Sequence, residues 1–228
     1  LDLDFFVIPE MLKDLGYING HFGKWHLGDI GFHPENSGFD VNIGGNKHGG
    51  PGSYFAPYPY VKLEDETKGE YLTDRIGDEV VKFIDINKEN NFFAYVPFFS
   101  VHTPIQSKTD YQKKYRNKDS NEYHNRADYA GMIQSLDENV GKIIDKIDAL
   151  NLSDNTLIIF TSDNGGIRAI SDQYPLRAGK GSYYEGGIRV PLIFSWKGKI
   201  DAGSESYERV SNVDIYPTIK KLVGYSKP

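Results

Sequence analysis

The feature that most constrains the fold is a short apolar run, Leu157-Ile158-Ile159-Phe160, that breaks off into Thr161-Ser162-Asp163-Asn164-Gly165-Gly166. A run this short, rich in β-branched and aromatic residues and ended by polar residues and glycines, reads as a buried strand of a parallel sheet. Two other runs follow the same plan. Residues 17–22 lead into Gly23-Lys24-Trp25-His26-Leu27-Gly28, and residues 92–99 lead into Ser100-Val101-His102-Thr103-Pro104. Between them, residues 5–15, 71–87 and 122–150 carry apolar side chains at intervals of three and four, the spacing of helices with one buried face. Residues 190–196 read as a further strand and residues 214–223 as a short helix with Pro217 in its first turns. This alternation specifies an α/β fold, a mostly parallel central sheet flanked by helices. No repeat or low-complexity linker divides residues 1–228, which read as one domain.

The joints are punctuated. Asp4 is placed to cap the first helix and Gly16 to end it. Residues 30–59 are rich in Gly and Pro with little periodicity beyond a short run at 39–43, the mark of a functional loop. Within it, the segments around His48 and Tyr54 either contact a substrate or cover the sheet. Residues 105–120 are polar and read as a loop with one helical turn.

Each strand ends in residues with chemistry. Asp163 and Asn164 offer two hard oxygen donors, which suit Ca²⁺ or Mg²⁺ better than zinc. Gly165 and Gly166 let the backbone turn away beside them. Lys180 follows between Gly179 and Gly181, an ammonium on a backbone that can approach a ligand closely. In extended geometry residues two apart face the same way, so Lys24 and His26 point into one pocket with Trp25 packed behind. Pro104 biases Thr103 towards an extended conformation, which keeps His102 at the same sheet edge. Metal, amide, lysines and histidines together describe a site for an oxyanion.

Composition removes other classes. A net charge of -6 leaves no basic footprint for nucleic acid, and zero cysteines exclude disulfides and thiolate metal sites. No apolar run approaches the roughly 20 residues of a membrane span, and no signal peptide opens the chain, which begins without a methionine.

Taken together, Gly23-Lys24-Trp25-His26-Leu27-Gly28, His102-Thr103-Pro104, Thr161 to Gly166, and Gly179-Lys180-Gly181 through Glu185-Gly186-Gly187-Ile188-Arg189-Val190-Pro191 resemble the sulfatases of the alkaline phosphatase superfamily. The resemblance extends from the first helix to Asp214-Ile215-Tyr216-Pro217-Thr218. It implies an alkaline-phosphatase-like sulfatase core in which Asp163 and Asn164 are two ligands of Ca²⁺, with Mg²⁺ as the alternative. Lys24 would hold the nucleophile's oxygen, and His26 would help expel sulfate from the covalent intermediate. His102 and Lys180 would bind the sulfate, one of them assisting the leaving alcohol, and Arg189 would be structural. The implied substrate is a sulfated carbohydrate. The implied location is periplasmic, secreted or lysosome-like.

The chemistry suits those residue types. A sulfate ester resists hydrolysis because its anionic oxygens repel nucleophiles, and cations aimed at those oxygens offset that charge as it shifts to the leaving group.

The chain departs from the family pattern in its nucleophile. The family uses a formylglycine, made by a dedicated maturation enzyme from a Cys/Ser-x-Pro-x-Arg motif, and this sequence has no Cys and no such serine motif. The two aspartates that open the family's domain are also missing, and a C-terminal subdomain would follow Pro228. The expectation is a fragment truncated at both ends and inactive alone. Two alternatives stand beside it: a phosphodiesterase-type member, against which the Lys-Trp-His motif argues, and a non-catalytic relative that binds sulfated glycans.

Overall fold

The computed structural model describes residues 1–61, 63, 66–119 and 125–227. The first helix, α1, spans Ile8–Asp14. It starts later than the 5–15 periodicity suggests, and Asp4 does not cap it. The Glu10 carboxylate instead accepts the Val7 amide at 2.9 Å, closing the first turn from within. Gly16, at φ +80°, ends it as expected.

Strand β1 (Ile18–Phe22) lies between β2 (Val41–Ile43) and β3 (Phe92–Tyr95), parallel to both. The expected long strand at 92–99 is four residues, because the chain leaves the sheet after Tyr95. Helices α2 (Leu72–Ile86) and α4 (Ala127–Ala149) cover this sheet. α2 buries Leu72, Ile76, Val80, Phe83 and Ile84 in one cluster with Phe22, Met132 and Ile147. The two helices meet where Gly77 faces the Asn139 amide, and Asn139 donates to Asp74 at 2.8 Å and to the Ser135 carbonyl at 2.7 Å. Any side chain at position 77 would collide there. The proposed start of α4 at Glu122 lies outside the described residues.

The segment expected to be a loop holds α3 (Thr109–Arg116), a two-turn helix lying on α4. Residue Ser120, the expected end of that loop, also lies outside the described residues.

The largest difference concerns the run at 157–160. Strand β4 (Ile158–Thr161) pairs antiparallel with β5 (Leu192–Ser195), in a two-stranded sheet separate from the parallel three. It is half-buried rather than buried, with Phe160 37% exposed. An apolar run reports that a strand has two apolar faces, and says nothing of which strand it pairs with or in which direction. Between β4 and β5 runs a long loop ending in the one-turn helix α5 (Glu185–Ile188). Helix α6 (Ile215–Leu222) closes the chain against α1, where the Tyr225 hydroxyl donates to Asp14 at 2.7 Å and its ring stacks on Phe6.

Candidate active site

Two loops leave the carboxyl ends of β1 and β3, the edge where open α/β sheets bind ligands, and a third leaves the end of β4 in the neighbouring two-stranded sheet. After β1, the Lys24 amide donates to the Pro97 carbonyl at 2.8 Å, tying the first loop to the third strand's continuation. Trp25 is buried, its indole N–H donating to the Phe32 carbonyl at 2.7 Å. His26 does not follow the extended geometry expected for it. Its φ is +59°, a left-handed conformation, so the rule that placed Lys24 and His26 on one face fails at this residue.

His26 is positioned by the 44–60 loop. Its amide donates to the Asn46 carbonyl at 2.9 Å, and its imidazole lies on Gly49, where an added Cβ would sit 2.6 Å from the ring. The next residue, Gly50, lies against His102, with an added Cβ 3.6 Å from Nδ1. Gly49 thus packs on the His26 ring, and Gly50 approaches the His102 ring. His102 Nδ1 lies 3.0 Å from the Thr103 carbonyl. The Thr103 hydroxyl lies 3.3 Å from the same nitrogen, so Thr103 holds the Nδ1 edge of the ring.

The two substrate-contact candidates in that loop divide. His48 is half-buried and stacks on Tyr60 at 4.7 Å, at the loop's rim. Tyr54 is fully buried and touches no solvent, which corrects the expectation of a substrate contact. Its hydroxyl is spent on the carbonyls of Phe99 at 2.6 Å and His102 at 3.0 Å. Burial pushes its phenol far above the ordinary tyrosine range. Tyr54 supports the wall that carries His102.

The third loop is held by glycine backbone packed on glycine backbone. The Gly165 amide donates to the Gly187 carbonyl and the Lys180 amide to the Gly166 carbonyl, both at 2.9 Å. Gly179 fits against the Gly166 carbonyl, where a Cβ would stand 2.6 Å away, and a Cβ on Gly165 would collide with the Gly186 carbonyl. This packing ties Lys180 to Gly166, two residues past Asn164, from far along the sequence. Arg189 pairs with Glu185 one turn back at 3.2 Å, a contact within α5 and its exit.

Asp163 stands close to the end of β3. The Tyr95 phenol is pushed up by burial and then by the Asp163 charge. Among the described residues, Asp163, Lys24 and Lys180 form no ion pair and are free to meet a ligand. Asn164 Nδ2 donates to the Gly165 carbonyl at 2.9 Å, and among the described residues Oδ1 has no donor. A carboxylate and a carbonyl oxygen left open side by side fit two positions in the shell of a hard cation, which takes about six to eight oxygens. Among the described residues no three His, Asp or Glu side chains gather as a metal cluster.

One buried group lay outside the motifs. His21, on β1, is fully buried among Trp25, Phe39 and Tyr95, and among the described residues its ring nitrogens have only long, poorly aligned contacts, with the Lys24 backbone and the Asn42 side chain. Burial pushes it down to about 4, so it is neutral. Its position inside the strand pattern marked it as core, and nothing in the sequence singled it out.

A family model described as Sulfatase matches residues 1–225. A sulfatase of Formosa agariphila is 33% identical over 96% of this chain and 50% of its own length. The human N-acetylgalactosamine-6-sulfatase is 30% identical over 97% of this chain and 45% of its own length. Among solved structures, Ps i-CgsB in complex with k-i-k-neocarrahexaose superposes with a TM-score of 0.85 and 34% identity, over 100% of this chain and 55% of that one. The chain spans about half the length of the relatives it matches.

Proposed function

The chain belongs to the sulfatase family, and from that membership we propose that its parent protein hydrolyses sulfate esters of carbohydrates, with this chain supplying part of the active site. The observation that carries the reading is that one pair of glycines reaches both rings, Gly49 the His26 imidazole and Gly50 the His102 imidazole, while the Lys180 amide is tied to Gly166, two residues past Asn164. Three groups suited to an oxyanion, His26, His102 and Lys180, and two oxygen donors suited to a cation, Asp163 and Asn164, thus follow β1, β3 and β4.

In this reading Asp163 and Asn164 hold Ca²⁺ or Mg²⁺. A bound cation of that kind contributes fixed positive charge against a sulfate oxygen. The family's formylglycine would supply the attacking oxygen; this sequence contains no Cys and no complete Ser-x-Pro-x-Arg from which to make it. Lys24 would hold that oxygen with its ammonium. Lys180 binds a second sulfate oxygen from the long loop between β4 and β5, its backbone amide fixed on the Gly166 carbonyl. His102, its Nδ1 edge held by Thr103, delivers a proton to the departing alcohol oxygen. His26 faces the opposite end of the reaction, where sulfate is released. His48, on its stack with Tyr60, borders the entrance and contacts the sugar.

The parent's maturation enzyme and an extracytoplasmic location follow from the family alone. No described helix is long and apolar enough to cross a membrane.

The test is sulfate release by the full-length protein from sulfated oligosaccharides, measured by ion chromatography, for wild type and for His102→Ala and Lys180→Ala. Each substitution is expected to lower kcat/KM by roughly a hundredfold or more, as loss of an oxyanion or proton-transfer contact does. Wild-type protein that binds the oligosaccharide and releases no sulfate would make it a binding protein instead.

A further inference from the structure

We propose that Thr73, in the first turn of α2, is a positioning residue whose hydroxyl fixes the turn that presents His102. Its effect on rate rests on the role of His102 in delivering a proton to the leaving group. Its effect on the imidazole rests on geometry alone.

Residues 99–102 form a turn closed by the His102 amide, which donates to the Phe99 carbonyl at 2.9 Å. Tyr54 sets one hydroxyl against the carbonyls at both ends of that turn. A rigid body held at one atom can still rotate about it. A second attachment comes from α2: Thr73 Oγ1 lies 2.6 Å from the hydroxyl of Ser100, the turn's second residue. Thr73 is buried, with 1% of its surface exposed, so water competes little for that bond. Its side chain is β-branched and stiff about the first torsion, so the helix backbone sets where the hydroxyl stands.

The neighbours of Thr73 grip the chain on the far side of His102. Tyr71, at the start of α2, donates its hydroxyl hydrogen to the Gln106 carbonyl at 2.8 Å. The Leu72 amide donates to the Tyr54 carbonyl at 2.9 Å, and Asp74 accepts the Lys108 ammonium at 2.8 Å. Residues 71–74 thus hold Tyr54 and also the chain at 100, 106 and 108, and His102 lies inside that bracket. Helix α2 is itself seated in the core through Leu72, Ile76, Val80, Phe83 and Ile84, which makes it a rigid reference for the imidazole. Without the Thr73 hydroxyl, Ser100 is free to turn away, and His102 at the end of the same turn moves with it. Proton delivery depends steeply on where the imidazole stands, whereas ground-state binding of the substrate does not.

The experiment compares full-length wild type, T73V, T73S and S100A in sulfate release from a sulfated oligosaccharide. T73V keeps the shape of the side chain and loses the hydroxyl; it is expected to lower kcat roughly tenfold or more, with KM within about twofold. T73S keeps the hydroxyl and is expected to recover most of kcat. S100A removes the other half of the pair and is expected to match T73V, with the double variant losing no more than either single one. A loss in T73S as large as in T73V, a rise in KM with kcat unchanged, or additive losses in the double variant overturns the assignment. A second readout needs no turnover: the ring signals of labelled histidine by NMR, with His102 identified by the signal that His102→Gln removes. The His102 signal is expected to shift in T73V and S100A and to stand at its wild-type position in T73S. An unmoved signal in T73V and S100A overturns the proposal. That shift in a protein that binds the oligosaccharide and releases no sulfate would sustain the link from Thr73 to His102 and remove the hydrolase reading. Thermal melts report folding, and if T73V does not fold, S100A carries both readouts.

Discussion

The hydroxyl of Tyr54 lies 2.6 Å from the carbonyl of Phe99 and 3.0 Å from that of His102, in a part of the core closed to water. A side chain from the glycine-rich loop thus sets the height of a histidine on a different strand end. Replacing Tyr54 by Phe leaves the ring in place and takes the hydroxyl from the His102 carbonyl, while the Phe99 carbonyl keeps the His102 amide at 2.9 Å. We expect a loss of about 1–3 kcal/mol in stability, the cost of unmet buried polar groups. In the full-length protein we also expect kcat to fall several-fold with KM nearly unchanged, because His102 is displaced while the binding groups stay. Chemical denaturation and steady-state kinetics on one preparation check both; a stability loss with unaltered kcat would make Tyr54 a packing residue only.

Asn164 turns its carbonyl oxygen outward by giving its amide hydrogen to Gly165. Replacing it by Ala in the full-length protein removes one hard oxygen donor and is expected to weaken Ca²⁺ binding at least tenfold. Calorimetric titration reads the affinity directly. Equal affinity in wild type and variant would strike Asn164 from the ligand set.

Gly165 and Gly141 make a controlled pair. A Cβ at 165 collides with the Gly186 carbonyl, while one at 141, within α4, meets nothing. Gly165→Ala must push apart the loop that carries Lys180, and we expect a loss of several kcal/mol, in the range of strained and overpacked substitutions. Gly141→Ala is expected to stabilise by roughly 0.5–1 kcal/mol through helix propensity. Thermal melts of the two variants should move in opposite directions.

His21 couples stability to pH. Its folded value is pushed down to about 4 from an ordinary 6.5, so between those limits the unfolded chain binds the extra proton. Stability from this group is therefore complete above about pH 6.5 and falls on acidification, by up to about 3 kcal/mol on reaching pH 4. His21→Phe keeps an aromatic ring among Trp25, Phe39 and Tyr95 and removes the proton site. The variant's Tm should fall less than that of wild type between pH 7 and pH 5. Parallel pH profiles would show that His21 does not contribute.

Much of the fold was legible because it is written locally. The spacing of Leu72, Ile76, Val80, Phe83 and Ile84 belongs to a helix with one buried face, and those residues form the core. Residues 105–120 read as a loop with one helical turn, and the structure has two turns there, at 109–116: almost every residue in them is polar, so no apolar stripe marks their length.

At the site, the residue types were legible and their arrangement was not. Lys24, His26, His102, Asp163, Asn164 and Lys180 all stand at or after strand ends, as the abrupt polar endings of the apolar runs suggested. The turn at His26, the burial of Tyr54 and the antiparallel pairing of β4 with β5 were beyond reach of the sequence pattern.

The sequence by itself determined which segments are helices and strands and which chemical groups end them, since period, glycine placement and side-chain type act over a few residues. The tertiary structure decided which groups meet. Gly49 packs on the His26 ring, Gly50 approaches the His102 ring and the Lys180 amide reaches Gly166 only because backbone atoms far apart in sequence pack where no side chain intervenes. Such contacts depend on long-range closure of the chain, which no local pattern records.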